Sequence, residues 1–426
     1  MLTQLIYDPK SLGLKRLSRY VRLMSCALPS RHRGHKRTAR MRRYRLILRL
    51  LIAVVVLNGV RALGQETGAA RTERQPLWKT DLREFGYEQF SPYNVRWMRL
   101  IVHFTDDNHV VIGWISPDAA TLSRTKGSAF GVPAHLHVLI LDAKTGRKLT
   151  QRDWSTPRSG FPVLFGIPDG KTVICTDNSL RLLSPNLDVV KEQELPDGAT
   201  CQHLSYRQSP SKRTVLTRSI NEKRTSWELL NANTFATIST WTRELGNDSI
   251  LEPMAISDHW MVGWCGQPTE LSLCLRKPDE EWHLFRLGGL NSPAFFVSDE
   301  LLAVGLRPGS VASIVSVQGS VLFQINLPKE HYLAEIVPSA DGERFAAVDY
   351  RMRGLRSEPL DMYPFGSSEQ ALVYSLKDRR AIFALKVKGT SPWTPWHVHD
   401  NSVALSPNGT ILAVLSDVVL STYSVP

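Results

Sequence analysis

The sequence predicts an all-β fold, a seven-bladed β-propeller of four-stranded antiparallel blades. Three observations predict it. A turn-and-strand unit recurs seven times, six copies are followed by two further short strands, and the seventh copy is followed by only one. Residues 75–82 resemble the missing fourth strand, so we expect an N-terminal strand to close the ring and leave no open sheet edge.

The repeat is defined by polar turn residues followed by a strand rich in Val, Ile, Leu and Ala. The turn residues are Asp107, Asp169, Ser211, Asp258, Asp299, Asp341 and Asn408. Their spacings are 62, 42, 47, 41, 42 and 67 residues, so the two long spacings contain insertions. Asp-Gly, Asn-Gly and Ser-Pro pairs favour tight turns between antiparallel strands. Four short strands at this period are typical of one propeller blade.

Composition and charge exclude several classes of protein. The chain has 426 residues, 42% of them hydrophobic and 22% charged, which excludes a disordered chain, a collagen-like fibre and a polytopic membrane protein. The net charge of +12 comes from the N-terminus, because residues 1–64 hold fifteen of the 52 Lys and Arg and one acid, Asp8. The rest carries about −2. We therefore expect no nucleic-acid partner.

Residues 41–64 have the three-part plan of a secretory signal. A basic stretch (42–45) precedes an apolar run (46–57), and Ala62 and Gly64 occupy the −3 and −1 positions for cleavage before Gln65. The interpretation predicts a secreted or periplasmic protein with no stable membrane insertion after cleavage. The alternatives are a membrane anchor formed by an uncleaved segment 46–60, and a cytoplasmic scaffold with an unprocessed basic tail.

Residues 1–40 form a basic extension without apolar periodicity. Either Met41 is the true start and this extension is misassigned, or it is a long basic region before the signal. The propeller is then assigned to residues 65–426. Four cysteines follow the leader: Cys175, Cys201, Cys265 and Cys274. Cys265 and Cys274 can face each other across a hairpin and form a disulfide, and buried free thiols are the alternative left open.

At these repeats the chain resembles the WD-repeat and YVTN-type propeller superfamily over about 350 residues. The resemblance concerns architecture, because the Gly-His and Trp-Asp pairs of WD repeats are absent. It implies a rigid ring that in most members binds partners and in a minority performs catalysis. Residues 139–149 are similar to one turn of the quinoprotein repeat, but that family's docking Trp is missing, so no cofactor is expected.

The insertions and one linker define the predicted binding site. Residues 116–134 and 351–369 each join strands two and three, in blades 1 and 6, and residues 388–401 link blade 6 to blade 7. All three should emerge on one face around blade 7. Trp and His side chains supply contact area there, and Arg and Lys form a cationic rim. The predicted binding residues are Trp393, Trp396, His397, His399, Arg351, Arg353, Tyr363, Arg124 and Lys126.

Other interpretations of these residues remain open. The Trp-x-x-Trp segment can pack over the end of its blade, and the pairs His135/His137 and His397/His399 can be structural or can present two imidazoles to a metal. Only Asp400 offers an adjacent acid, so no metal site is predicted. No catalytic motif is found, and no catalytic residue is assigned.

The sequence therefore favours a monomeric, non-enzymatic binding scaffold whose partner is a protein or polymer. The alternative is a propeller hydrolase or lyase acting on an envelope or extracellular polymer.

Overall fold

Short antiparallel strands and tight turns alternate along the chain. The computed structural model describes residues 74–87, 100–117, 134–156, 163–176, 179–195, 208–220, 224–244, 250–266, 272–285, 294–306, 311–328, 330–352, 366–387, 403–416 and 418–426. Within these residues no helix has the length and apolar character that crossing a bilayer requires.

The strands form seven antiparallel sheets, the blades of a propeller. The chain enters through β1 (Trp78–Asp81) and a turn of 3-10 helix (Leu82–Phe85). Blade 1 contains β2 (Ile101–Asp106), β3 (His109–Pro117), β4 (Ala134–Asp142) and β5 (Lys148–Thr156). Blade 2 contains β6 (Val163–Ile167), β7 (Lys171–Thr176), β8 (Ser179–Leu183) and β9 (Val189–Glu194). Blade 3 contains β10 (Thr214–Ile220), β11 (Arg224–Asn231) and β12 (Thr237–Glu244).

The second half of the ring repeats the plan. Blade 4 contains β13 (Ile250–Ile256), β14 (Met261–Gly266), β15 (Ser272–Arg276) and β16 (His283–Leu284). Blade 5 contains β17 (Phe295–Phe296), β18 (Leu301–Val304), β19 (Ala312–Ser316) and β20 (Val321–Ile325). Blade 6 contains β21 (His331–Pro338), β22 (Arg344–Met352), β23 (Gly366–Ser375) and β24 (Arg380–Lys386). Blade 7 contains β25 (Val403–Leu405), β26 (Ile411–Ser416) and β27 (Val419–Ser424).

The N-terminal strand belongs to the last blade. β1 lies antiparallel to β27, with Trp78 opposite Thr422, and is the fourth strand of that sheet. The indole of Trp78 donates a hydrogen bond to the carbonyl of Ala143 in blade 1, at 2.8 Å. Residues from the two ends of the described chain therefore share one blade.

Blade 3 departs from the four-strand plan. Three strands are present among its described residues, and an isolated bridge between Gln208 and Val215 lies where the other blades have an inner strand. The Gln208 side chain instead donates to the carbonyl of Gly166 in blade 2, at 2.7 Å.

Apolar clusters fill the spaces between neighbouring blades. The described residues form seven such clusters, one for each neighbouring pair, and one of them joins blade 7 to blade 1. Inner and central strands are packed on both sides and are therefore almost continuously buried, as in β25 and β26, whereas outer strands such as β9 are largely exposed. Burial between the blades is the main stabilising contribution, and it makes the ring rigid.

Two cysteines left open by the sequence form a disulfide within blade 4. Cys265 in β14 is bonded to Cys274 in the adjacent β15, with their Cα atoms 5.9 Å apart. Cys175 in β7 is also disulfide-bonded.

Candidate functional site

The two ends of the ring carry different connections. In an antiparallel blade, the turns after the first and third strands lie at one end, here named the turn face, which holds Asp107, Asp169, Asp341 and Asn408. The links after the second and fourth strands lie at the other end, here named the loop face. Residues 118–133 connect β3 to β4 and residues 353–365 connect β22 to β23, so both insertions start and end at the loop face, as the sequence predicts.

Blades 1 and 6 have the longest hairpins between second and third strands. β3 and β4 have nine residues each, and β22 and β23 have nine and ten, whereas β18 and β19 have four and five. These hairpins lie on either side of blade 7, whose inner strand follows the linker 388–402. The loop face around blade 7 is therefore the best-supported candidate for recognition.

One predicted binding residue falls within the described residues. Arg351 is half exposed near the end of β22, and its Nη2 lies 3.4 Å from Oε2 of Glu330. The carboxylate reduces the cationic character that the sequence analysis assigned to this part of the rim. The other predicted residues lie outside the described residues: Trp393, Trp396, His397, His399, Arg353, Tyr363, Arg124 and Lys126.

A buried carboxylate links the first two strands of blade 6 at their loop-face end. Asp349 is 4% exposed and accepts a hydrogen bond from Nδ1 of His331, at 2.8 Å. On neighbouring positions the rings of Tyr332 and Tyr350 stack with centroids 5.6 Å apart, and Tyr350 donates to Glu335 at 2.5 Å. Burial, together with Glu335, raises the pKa of Tyr332 to about 12, so its hydroxyl stays protonated at neutral pH. No sequence motif pointed to this group.

His135 and His137 occupy alternate positions on β4 and therefore share one side of the sheet, as the spacing predicts. Their ring centroids are 6.4 Å apart. His137 stacks on the buried Trp114 at 5.1 Å, and its two nitrogens lie 2.5 Å from Oγ of Ser116 and 2.6 Å from Oδ1 of Asp153. Both nitrogens of His137 are thus engaged. Within the described residues no three His, Cys, Asp or Glu side chains converge as metal ligands.

The turn face contains a cavity of about 460 Å³ that is lined by residues of blades 3, 4, 5 and 6. Asp258, Asp299, Glu300 and Asp341 give it an acidic lining. Three of these carboxylates accept hydrogen bonds within or between turns. Asp258 accepts from Ser211 at 2.7 Å, Asp299 accepts from the backbone N–H of His259 at 3.1 Å, and Asp341 accepts from Ser339 at 2.5 Å. The imidazole of His259 is also hydrogen-bonded to Asp299, and this bond raises the pKa of His259.

A buried lysine near the turn face was not singled out by the sequence analysis. Lys212, in the turn of blade 3, donates from Nζ to the carbonyl of Phe104 in blade 1, at 2.7 Å. Burial lowers the pKa of Lys212 to about 8, against the opposing effect of Asp107 and Asp106. Burial and the nearby ammonium lower the pKa of His103 to about 3. The sequence feature that could have identified Lys212 is its position in the repeat, where other copies have Gly170, Gly342 and Gly409.

These features define a seven-bladed β-propeller. No family model matches the chain, and no curated protein matches it by sequence. Among solved structures, the chain is similar to oligogalacturonate lyase from Vibrio parahaemolyticus, with 10% identity over 83% of this chain and 94% of that one, at a TM-score of 0.48.

Two further solved structures are similar to the chain at lower TM-scores. The Pan2 WD40 domain of Neurospora crassa is 9% identical, over 83% of this chain and 95% of that one, with a TM-score of 0.37. TolB from Acinetobacter baumannii is 12% identical, over 72% of this chain and 82% of that one, with a TM-score of 0.35. At these identities the similarity concerns the fold alone.

Proposed function

We propose that this protein is a secreted or periplasmic, monomeric binding scaffold that takes a protein or polymer partner at the loop face around blade 7. The observation that carries the proposal is the placement of the two longest central hairpins, β3–β4 and β22–β23, in the blades on either side of blade 7. A rigid ring that holds long loops around one patch is a common arrangement for recognition.

The proposed contact residues combine aromatic anchors with a charged rim. Trp393 and Trp396 belong to the linker that enters blade 7, and large rings of this kind contribute much of the binding energy in protein interfaces. The rim includes Arg351, whose charge is partly offset by Glu330. The net charge of about −2 outside the leader argues against a nucleic-acid ligand.

Two observations support export. The segment 41–64 has the plan of a cleavable signal, and the Cys265–Cys274 disulfide is typical of an oxidising compartment. Sequencing the N-terminus of the protein purified from its native host should give Gln65 as the first residue. A first residue at Met1 or Met41 would contradict processing and favour the anchored or cytoplasmic alternatives.

The binding role is tested by affinity capture from native envelope extract. The purified protein is compared with its Trp393→Ala/Trp396→Ala variant and with a Leu149→Ala control, because Leu149 is an exposed apolar residue of blade 1 outside the predicted site. We expect a partner that is retained by the unmodified protein and the control and is lost with the double variant, while the unfolding temperature is unchanged. Equal retention by all three proteins would contradict the assigned face.

The alternative is a propeller hydrolase or lyase acting on an envelope or extracellular polymer. The contacts of His137 with Ser116 and Asp153 are the observation that favours a hydrolase.

A further inference from the structure

Three side chains on adjacent strands of blade 1 form a continuous hydrogen-bonded chain. Ser116 lies near the end of β3, His137 on β4 and Asp153 on β5. His137 is directly opposite Asp153 in the strand register and diagonal to Ser116, because Trp114 is the residue opposite His137. All three therefore project from the same side of the sheet. The distances are 2.5 Å from Ser116 Oγ to His137 Nε2 and 2.6 Å from His137 Nδ1 to Asp153 Oδ1.

When Asp153 is ionised and His137 is neutral, the hydrogen-bonding capacities of these groups define the positions of the protons. An ionised carboxylate can only accept, so Nδ1 of His137 carries a proton and donates a hydrogen bond to Asp153. In the neutral imidazole Nε2 is then an acceptor, and the Ser116 hydroxyl donates to it. This order, in which a hydroxyl is bonded to a base and the base is held by a carboxylate, is the arrangement that activates a serine nucleophile.

The surroundings fix the imidazole and leave it accessible. Trp114 is 2% exposed and stacks on His137 with 18° between the ring planes, so the ring cannot rotate freely. The side chain of His137 remains 18% exposed and that of Asp153 is 53% exposed. The site is therefore open to solvent at the loop-face end of blade 1, where a large substrate can approach.

We propose that Ser116, His137 and Asp153 form an acyl-transfer site that hydrolyses carboxylic esters. Ser116 Oγ bonds to the ester carbonyl carbon as its proton passes to Nε2 of His137. The tetrahedral intermediate expels the alcohol, which takes that proton, and the acyl group remains on Ser116. Water then attacks the acyl carbon, His137 accepts a proton from the water and returns it to Ser116, and the carboxylic acid is released. Asp153 is a positioning residue that holds the imidazole.

The activity goes beyond the proposed binding function and does not depend on it. The three side chains are described residues of blade 1, whereas the proposed contacts centre on Trp393 and Trp396. Loss of partner capture in the Trp393→Ala/Trp396→Ala variant and loss of ester hydrolysis in a Ser116→Ala variant are separate results. Each can fail without the other.

Covalent labelling of the full-length protein with an alkyl fluorophosphonate, mapped by peptide mass spectrometry, tests the proposal. We expect Ser116 to be labelled, and p-nitrophenyl acetate to be hydrolysed by the protein and by its Ser155→Ala variant but not by Ser116→Ala. Ser155 is a matched control because it is an exposed serine of β5 on the same side of the sheet. His137→Gln should slow labelling at least about 100-fold, the usual contribution of a general base.

Asp153 requires a measurement that separates positioning from stability. Proton NMR should show a low-field imidazole N–H signal that disappears in Asp153→Asn, together with at least about tenfold slower labelling at an unchanged unfolding temperature. The proposal is overturned if unmodified, folded protein shows no labelling of Ser116 above that of Ser155. It is also overturned if His137→Gln is labelled at the original rate. The first of these readouts is made on the unmodified protein and therefore remains decisive even where a variant does not fold.

Discussion

Lys212 shows how one side chain links blades that are not neighbours. Its backbone has a φ of 63°, in the left-handed region where the corresponding glycines of other blades have φ values of 69° to 71°. A side chain in this region costs about 1 kcal/mol or more. The hydrogen bond from Nζ to the carbonyl of Phe104 offsets that strain and ties blade 3 to the inner strand of blade 1.

Burial, together with the nearby Lys212 ammonium, lowers the pKa of His103, so folding stability should depend on pH. His103 lies on β2 near Lys212, Asp106 and Asp107, and its pKa is lowered from its usual 6.5 to about 3. Between these values the unfolded chain binds a proton that the folded protein does not, so folding stability decreases as pH falls from about 6.5 to about 3. We expect a decrease of roughly 1 kcal/mol per pH unit from this group.

The test is urea unfolding of the protein and of His103→Gln at several pH values between 7 and 4. Carboxyl groups also titrate in both proteins, so the two slopes of unfolding free energy against pH are compared. The slope should be shallower for the variant. Parallel curves would show that His103 titrates normally in the folded protein.

Gly166 is required by close backbone packing. A Cβ at this position would lie 2.1 Å from the carbonyl oxygen of Phe104, which is fixed within β2. Gly166→Ala should therefore destabilise the protein by about 2–3 kcal/mol or more, as overpacking of a rigid core does. Gly319→Ala is the matched control, since Gly319 has φ 87° and open space around it, and it should cost only about 1 kcal/mol of backbone strain. Equal losses in chemical denaturation would contradict the steric account.

At the scale of elements, the repeated turns join neighbouring blades. The backbone N–H of Asn408 in blade 7 donates to Asp107 of blade 1 at 2.9 Å, and Ser211 of blade 3 donates to Asp258 of blade 4. The backbone N–H of His259 in blade 4 donates to Asp299 of blade 5 in the same way. The turn carboxylate thus has two roles, since it favours the local turn and accepts from the preceding blade.

A covalent link supports blade 4. Its outer strand, β16, has two residues, and the Cys265–Cys274 disulfide joins the two central strands nine positions apart in sequence. Loop-closure entropy predicts that the Cys265→Ser/Cys274→Ser variant loses about 2–3 kcal/mol. Thermal unfolding without reductant checks this, because the disulfide at Cys175 is then kept in both proteins. An unchanged unfolding temperature would show that the link does not stabilise the blade.

The blades could be predicted from the sequence because their signals are local. Turn residues such as Asp341 and Asn408, and the alternation that follows them, depend on short segments of chain. The chain of contacts from Ser116 through His137 to Asp153 could not be predicted. It depends on the register of β3, β4 and β5, and an insertion separates β3 from β4. The pair His135/His137 was recognised, but its partners lie on other strands. Lys212 was missed because its acceptor is 108 residues away.

At the scale of the whole molecule, the ring separates two surfaces of different character. The turn face is built from hydrogen-bonded carboxylates, and its cavity is acidic. The loop face carries the insertions of blades 1 and 6 and the Ser116–His137–Asp153 chain. Seven apolar clusters hold the blades together between these faces. A partner can therefore bind one face with little change in the ring.

The proposed recognition surface is the loop face around blade 7. The most direct measurement is the affinity of a captured partner for the unmodified protein, for the Trp393→Ala/Trp396→Ala variant, and for a turn-face variant, Glu300→Lys, which changes the charge of the acidic cavity. We predict at least about tenfold weaker binding for the loop-face variant, because it removes both aromatic anchors, and unchanged binding for Glu300→Lys. Binding weakened by Glu300→Lys and unaffected by the tryptophan substitutions would contradict the claim and place recognition on the opposite face.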